Sequence, residues 1–226
     1  MMIAGSPVRA LIFDFDGVLA DTEALHCAAF QAAASVDHVA LSGDDYYAHF
    51  LGLPDRACLA ALYERAGATL TAAELDALVS RKRAQFARLS ATAALYDGVP
   101  DLLRRLQLRW PLAVASGAFR DEIEIILERA GVRHLFVAIV GADDVARGKP
   151  APDPFVTAMR AINKETGRDL RAADCLVIED SPLGITAARA AGMRCLGVAT
   201  HHPPNMLAAD AVIDHLRQLR VEDLPA

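Results

Sequence analysis

The sequence predicts an α/β protein in which a parallel sheet is interrupted, early in the chain, by a helical insert. Residues 9–14 form a near-continuous apolar run, which is typical of a strand buried on both faces. Residues 23–91 are helical in pattern, and after them short apolar strands alternate with helical stretches. We therefore expect an α/β core of residues 1–20 and 92–226 and a helical domain of residues 21–91.

The insert is rich in alanine and leucine, and turn sequences at SGDD, LGLPD and GATLTAAE divide it into helices. Thr71 and Glu74 have the spacing of a capping box at the start of one of these helices. The insert begins just after the first strand. Ligands of open α/β sheets bind at the carboxyl ends of strands, so an insert at this point can cover a site as a lid does.

The last part of the chain alternates between strands and helices. The predicted strands are PLAVAS, FVAIVG, CLVIED, RCLGVA and DAVI. The predicted helices are residues 119–130, 154–166 and 182–191. This alternation favours a parallel sheet with helices on both faces.

Composition restricts the class of partner. The chain has 226 residues, of which 54% are hydrophobic, and a net charge of −6 without a basic face, so nucleic acid and anionic membranes are not expected partners. No apolar run is long enough to cross a membrane, and no secretory signal is visible. The four cysteines lack CxxC pairing, which predicts buried thiols in the cytoplasm. The oligomeric state stays open, and a monomer is compatible with the sequence.

Acidic residues follow two of the predicted strands. Asp14 and Asp16 stand two residues apart, so both side chains would share one face if the first strand runs that far. Carboxylates that close repel each other, which calls for a shared proton or a cation. Glu179 and Asp180 end the CLVIED strand, and four carboxylates at neighbouring strand ends would suit Mg²⁺.

Two further strand ends or loops carry groups suited to phosphate. Lys149, in GKPAPDPF, adds a positive charge, and Ser116 ends the PLAVAS strand with Gly117 allowing close backbone approach. Each feature has an ordinary alternative: a turn for DxD, a helix N-cap for Asp180 or Ser181, a surface lysine for GKP. Their joint occurrence at the carboxyl ends of one sheet indicates a functional site.

The ordered motifs DFDGVLADTE, VASG, GKPAPDPF and VIEDSPLG resemble those of the haloacid dehalogenase-like superfamily. The resemblance spans about residues 9–213 and is nearest to the branch with a helical cap, around β-phosphoglucomutase and small sugar-phosphate phosphatases. It implies a Rossmann-like parallel sheet core, Mg²⁺ as cofactor and a small phosphorylated metabolite as substrate. Asp16 favours phosphate ester chemistry, because dehalogenases of the superfamily lack this acid, and the P-loop spacing GxxxxGK[ST] does not occur.

The resemblance also implies roles for the motif residues. Asp14 would be the nucleophile that forms an aspartyl-phosphate, and Asp16 would protonate the leaving oxygen and then deprotonate water. Mg²⁺ would be held by the Asp14 carboxylate, the Asp16 carbonyl and Asp180, with Glu179 bound directly or through water. Ser116 would hydrogen-bond the phosphoryl group and Lys149 would neutralise its charge. Further candidate phosphate-binding positions are Phe15, Gly17 and Gly117.

In the cap region the resemblance leaves phosphatase and mutase open. Thr22 and His26 match a mutase-like hinge that many capped phosphatases share, and a packing role is the alternative for His26. Lys82, with Arg81, lies where mutase-like caps place a basic residue near the substrate, and a solvated helix face is the alternative.

The departures from the mutase pattern favour a phosphatase. Arg56 lies one position after the arginine that binds the distal phosphate in β-phosphoglucomutase, and Asp55 takes that position. Gly117, Ala118 and Phe119 replace small polar residues and a lysine, for which Arg120 can substitute in part. A third hypothesis, a non-catalytic binding protein, would be marked by the loss of a motif residue, and none is lost.

Overall fold

The computed structural model describes residues 7–224, and the chain divides into two compact units. The sheet unit comprises the chain up to Asp21 and from Ala94 onward, and the helical unit is Thr22–Ala93. Within the described residues no helix combines the length and hydropathy that crossing a bilayer requires. All four cysteines are buried and free, as predicted.

The sheet unit is built on a parallel six-stranded sheet, counted over residues 7–224, with strand order β3-β2-β1-β4-β5-β6. Its strands are β1 (Ala10–Phe13), β2 (Leu112–Ala115), β3 (Phe136–Val140), β4 (Cys175–Glu179), β5 (Arg194–Val198) and β6 (Ala211–Ile213). Every residue of β1, β2 and β4 is buried, which explains why these strands are apolar throughout except at Glu179, the last residue of β4. The predicted α/β fold is confirmed.

The helices of the helical unit are α1 (Glu23–Ser35), α2 (Gly43–His49), α3 (Asp55–Arg65) and α4 (Ala72–Leu89). The predicted capping box opens α4: the Thr71 hydroxyl accepts a hydrogen bond from the Glu74 N–H, and Glu74 accepts one from the Thr71 N–H. Aromatic and aliphatic side chains of the four helices form this unit's own core.

The sheet unit contributes α5 (Val99–Leu106), α6 (Arg120–Arg129), α7 (Asp153–Thr166) and α8 (Pro182–Ala190). Helices α6, α7 and α8 were predicted from the sequence, and α5 was not. Helix α7 packs on β2 and β3, and α8 on β4 and β5. After β1 the chain adds β2 and β3 on one side of it. The chain then crosses to the other side of β1 and adds β4, β5 and β6. In open α/β sheets such a switch point is where ligands bind.

Candidate active site

The carboxyl ends of β1, β2 and β4 bring together the polar residues that the sequence singles out. Phe13 pairs with Ile178 across the sheet, and the Asp14 N–H donates to the Ile178 carbonyl oxygen at 2.9 Å. This register places Asp14, the first residue after β1, beside Glu179, the last residue of β4. Ser116 follows β2 on the other side of β1 and is almost fully buried.

Asp14, Glu179 and Asp180 form an acidic cluster at this edge of the sheet. Each offers one carboxylate oxygen, these oxygens lie within 4.8 Å of one another, and all three residues are buried. Three like charges this close are unfavourable unless protons or cations compensate them. Asp14 is thus brought together with Glu179 and Asp180, which lie more than 160 positions later in the chain, as the sequence motifs predicted.

Asp16 takes a different place from the one that strand periodicity suggested. Strand β1 ends at Phe13, and the chain then turns, with Asp16 forming an isolated bridge to Ala20. Strand β1 does not reach Asp16, so the condition under which Asp14 and Asp16 would share one strand face is not met. The Asp16 carboxylate instead accepts a hydrogen bond from the Ser116 hydroxyl at 3.3 Å.

Lys149 is the cation of the acidic cluster. Its Nζ lies 2.8 Å from Asp14 Oδ1 and 2.7 Å from Glu179 Oε1, and its side chain is buried. Burial by itself would lower the pKa of Lys149, but Asp14 and Glu179 outweigh it and raise that pKa, so the ammonium stays charged. The alternative interpretation of GKP is half right: Lys149 lies in a turn, but it is not a surface lysine.

The titration of Asp14 is set mainly by its burial. Burial raises the pKa of Asp14 to about 8, against the opposing effect of Lys149 and with further upward contributions from Glu179 and Asp16. The Phe15 N–H donates to Asp14 Oδ1 at 2.8 Å, which fixes the orientation of the carboxyl group. Without a further cation, Asp14 therefore keeps its proton to a higher pH than an ordinary aspartate does.

Glu179 is held by donors on both of its oxygens. Lys149 contacts Oε1, and Oε2 accepts from the backbone N–H and the hydroxyl of Ser181 at 2.6 and 3.0 Å. Ser181 also caps α8, because its hydroxyl accepts from the Gly184 N–H. A Cβ on Gly184 would lie 1.5 Å from Glu179 Oε1, so only glycine leaves room for this carboxylate.

Asp180 lies between Gly17 and a histidine that the sequence analysis did not identify. His201 Nδ1 is 3.3 Å from Asp180 Oδ2. Gly17 has a φ of +73°, and a Cβ there would lie 2.0 Å from the same oxygen. His201 comes shortly after β5, so the rule that identified Asp14 and Ser116, a polar residue just beyond a strand of this sheet, could have found it.

The residues present fit a magnesium ion. Donors at about 2.1 Å from Mg²⁺ lie about 3 to 4.2 Å apart. The oxygens of the acidic cluster lie within 4.8 Å of one another. The donors are hard carboxylate oxygens, which Mg²⁺ prefers. When all three carboxylates are ionised, their charges and that of Lys149 leave a formal deficit of two positive charges, which one divalent ion supplies.

Candidate residues of the helical unit are arranged around a buried lysine. Lys82 is fully buried, and its Nζ lies 2.8 Å from both His26 Nδ1 and Asp55 Oδ1. The rings of Phe30 and Phe86 lie about 5 Å from the ammonium, and His26 stacks on Phe86. The alternative of a solvated helix face is therefore wrong for Lys82. For His26, packing is observed, together with the contact to Lys82.

The other predicted substrate-binding residues lie in different surroundings. Arg56 forms an exposed ion pair with Asp76, and Arg120 pairs with Asp144 at 2.8 Å. A Cβ on Gly117 would meet no atom within 4 Å, which leaves room beside Ser116. Thr22 is fully buried at the start of α1. Substrate contacts of these residues remain predictions.

Comparison with known proteins gives the family. Residues 11–198 match the family model of the haloacid dehalogenase-like hydrolases. The chain is 33% identical to the validoxylamine A 7'-phosphate phosphatase of Streptomyces hygroscopicus subsp. limoneus, over 94% of this chain and 96% of that protein. It is 32% identical to the β-phosphoglucomutase of Bacillus subtilis, over 95% and 93%.

A solved structure agrees in fold. CbbY from Rhodobacter sphaeroides, in complex with phosphate, superimposes with a TM-score of 0.84 at 25% identity and covers 97% of this chain and 100% of its own. The matched residues include Asp14, Ser116, Glu179 and Asp180. With its parallel sheet and its acidic residues at the strand ends, this chain is an enzyme of the haloacid dehalogenase-like hydrolase family.

Proposed function

We propose that this enzyme is a Mg²⁺-dependent phosphatase that hydrolyses a small phosphorylated metabolite of the sugar-phosphate class through an aspartyl-phosphate on Asp14. The observation that carries the proposal is the acidic cluster with Lys149 bound between Asp14 and Glu179. One relative is a phosphatase of validoxylamine A 7'-phosphate, which is consistent with a small phosphorylated substrate. The free cysteines lead us to expect a cytoplasmic enzyme, which is consistent with a soluble metabolite.

The residues divide the reaction between them. A carboxylate oxygen of Asp14 attacks phosphorus as the ester bond to the alcohol breaks, and Asp16 gives its proton to the departing oxygen. Asp16 then takes a proton from the water that attacks phosphorus, which breaks the bond to Asp14 and releases phosphate. The hydrogen bond from Ser116 to Asp16 holds this acid in place. The Gly117 backbone, with open space beside it, is a candidate donor to phosphoryl oxygens.

Magnesium would be held by Asp14, Asp180 and the main-chain carbonyl of Asp16. It would stabilise the negative charge of the transferring phosphoryl group. Glu179 would bind it through water, because both of its oxygens already accept hydrogen bonds from Lys149 and Ser181. Lys149 supplies the remaining positive charge beside Asp14.

The helical unit is proposed as the cap. Its Asp55, at the position where the mutase carries an arginine for the distal phosphate, instead neutralises Lys82. A second phosphate group would find less positive charge there, which favours hydrolysis over mutase chemistry. The relative named β-phosphoglucomutase keeps a mutase as the second candidate.

A substrate screen tests the proposal. We expect phosphate release from p-nitrophenyl phosphate and from members of a sugar-phosphate panel, and loss of release when EDTA is present. Absence of metal-dependent release from every compound would count against a phosphatase. Conversion of β-glucose 1-phosphate to glucose 6-phosphate, stimulated by a bisphosphate, would instead support the mutase.

Metal binding is expected to depend on pH through Asp14. Because the pKa of Asp14 is raised to about 8, a bound proton competes with the ion at lower pH. The apparent Mg²⁺ affinity of the EDTA-treated chain should rise by up to about tenfold per pH unit between pH 6 and 8 and then level off. Calorimetry at pH 7 in buffers of different ionisation enthalpy should detect release of close to one proton. A flat affinity over this range would contradict the prediction.

A further inference from the structure

The loop after β5 brings one histidine against the acidic cluster. His201 lies three residues beyond the end of β5, and its Nδ1 is 3.3 Å from Asp180 Oδ2. Both side chains are largely buried, with exposed fractions of 16% for His201 and 8% for Asp180. A carboxylate oxygen can only accept, so this hydrogen bond forms with the histidine tautomer that carries its proton on Nδ1.

The backbone at Gly17 bounds the same oxygen. A Cβ at Gly17 would lie 2.0 Å from Asp180 Oδ2 and 3.0 Å from His201 Nδ1. Asp180 Oδ2 therefore lies close to both the Gly17 backbone and the His201 ring. Rotation of the Asp180 carboxylate would move Oδ2 away from its donor, so this contact restricts the direction in which Oδ1 points.

The three carboxylates of the acidic cluster differ in what holds them. Asp14 Oδ1 accepts from Lys149 and the Phe15 N–H, and Glu179 accepts from Lys149 and Ser181. Those donors come from the predicted motifs. Asp180 is contacted by His201, which follows β5 and lies outside all four sequence motifs.

We propose that His201 is a positioning residue for the cation site: its Nδ1–H holds Oδ2 of Asp180 and leaves the other oxygen directed to the ion. The inference rests on the proposed Mg²⁺ site. A ligand that is free to rotate must be ordered when the ion binds, and loss of a partner that orients a ligand costs about 10- to 100-fold in metal affinity. His201 thereby acts on metal binding and not on the phosphoryl group.

Three substitutions separate this role from general packing. His201→Ala removes the donor. His201→Asn keeps an N–H near the position of Nδ1, whereas His201→Gln keeps an N–H nearer the position of Nε2. The neighbouring His202, which is half-buried, gives the matched control His202→Ala. Circular dichroism in EDTA establishes that each variant is folded, and the two amide variants keep the test valid if His201→Ala does not fold.

The measurements are Mg²⁺ binding to the full chain by calorimetry and the Mg²⁺ dependence of p-nitrophenyl phosphate hydrolysis. We expect His201→Ala and His201→Gln to bind Mg²⁺ at least about tenfold more weakly. His201→Asn and His202→Ala should stay within about threefold of the parent chain. At saturating Mg²⁺, kcat of all four variants should lie within about threefold of the parent value, because only metal occupancy has changed.

Two results would overturn the inference. One is unchanged or tighter Mg²⁺ binding by His201→Ala, and the other is equal weakening by the Asn and Gln variants. If the parent chain itself binds no Mg²⁺, the proposed function fails and this inference fails with it. If the parent binds Mg²⁺ and the His201 variants do not differ from it, only the role of His201 is lost.

Discussion

Replacing Asp14 with Asn is expected to lower phosphatase turnover by at least about four orders of magnitude, because the amide cannot form the acyl phosphate. The substitution keeps the shape of the side chain beside Lys149 and Glu179. The measurement is phosphate release at saturating substrate and Mg²⁺. Asp101→Asn, which changes an exposed carboxylate on α5, is the matched control and should retain full turnover. Turnover of the Asp14 variant within tenfold of the parent would remove Asp14 as nucleophile.

The same variant gives a stability result that is independent of substrate. Burial raises the folded-state pKa of Asp14 to about 8, above its ordinary value of 3.8, so the parent chain loses stability as pH rises through this interval. The Asn side chain has no proton to lose. In EDTA, the unfolding midpoint of Asp14→Asn relative to the parent should therefore increase from pH 5 to pH 9. If the difference between the two unfolding midpoints did not vary with pH, the raised pKa of Asp14 would be contradicted.

Replacing Asp55 with Ala is expected to destabilise the helical unit by about 3 to 5 kcal/mol, since it leaves the fully buried Lys82 ammonium without its counter-ion. Asp55 is also the first residue of α3, where an acidic group interacts favourably with the helix dipole. Loss of this interaction accounts for about 0.5 kcal/mol of the expected destabilisation. Urea unfolding followed by far-UV circular dichroism measures the loss. The chain's single tryptophan, Trp110, reports on the sheet unit in the same experiment.

An exposed ion pair in the same unit supplies the control. Asp76→Ala breaks the ion pair between Asp76 and Arg56, and both of these side chains are at least half exposed. We expect this substitution to change the free energy of unfolding by less than about 1 kcal/mol. The double variant Asp55→Leu with Lys82→Met removes both buried charges and should recover most of the stability. Equal effects of Asp55→Ala and Asp76→Ala would mean that Lys82 is solvated in solution.

The fold and the cluster were predictable because they depend on local patterns. Buried parallel strands have unbroken apolar sequences, and the carboxyl ends of such strands share one edge of the sheet. Asp14, Ser116, Glu179 and Asp180 each stand at such an end, so identifying the strands was enough to predict that they converge. Residue spacing also predicted the capping box at Thr71 and Glu74.

Other features could not be read from the chain. Strand β1 stops at Phe13, so the alternation of side chains along a strand does not extend to Asp16. A prediction of which side chains share a face fails when the strand ends one or two residues earlier than expected. Lys82 lies in a stretch rich in charges, VSRKRAQF, and no periodicity marks it as buried. Its burial depends on Asp55, 27 residues away, and on the rings of Phe30 and Phe86.

The sequence by itself determined that this is a parallel α/β enzyme with acidic residues at neighbouring strand ends, because hydrophobic periodicity and motif order are properties of the chain. Only the tertiary structure decided which side chains contact each carboxylate: Lys149 contacts Asp14 and Glu179, and His201 contacts Asp180. The physical reason is that hydrogen bonds and charge pairs act over about 3 Å between atoms whose distance is set by packing. No spacing along the chain encodes that distance.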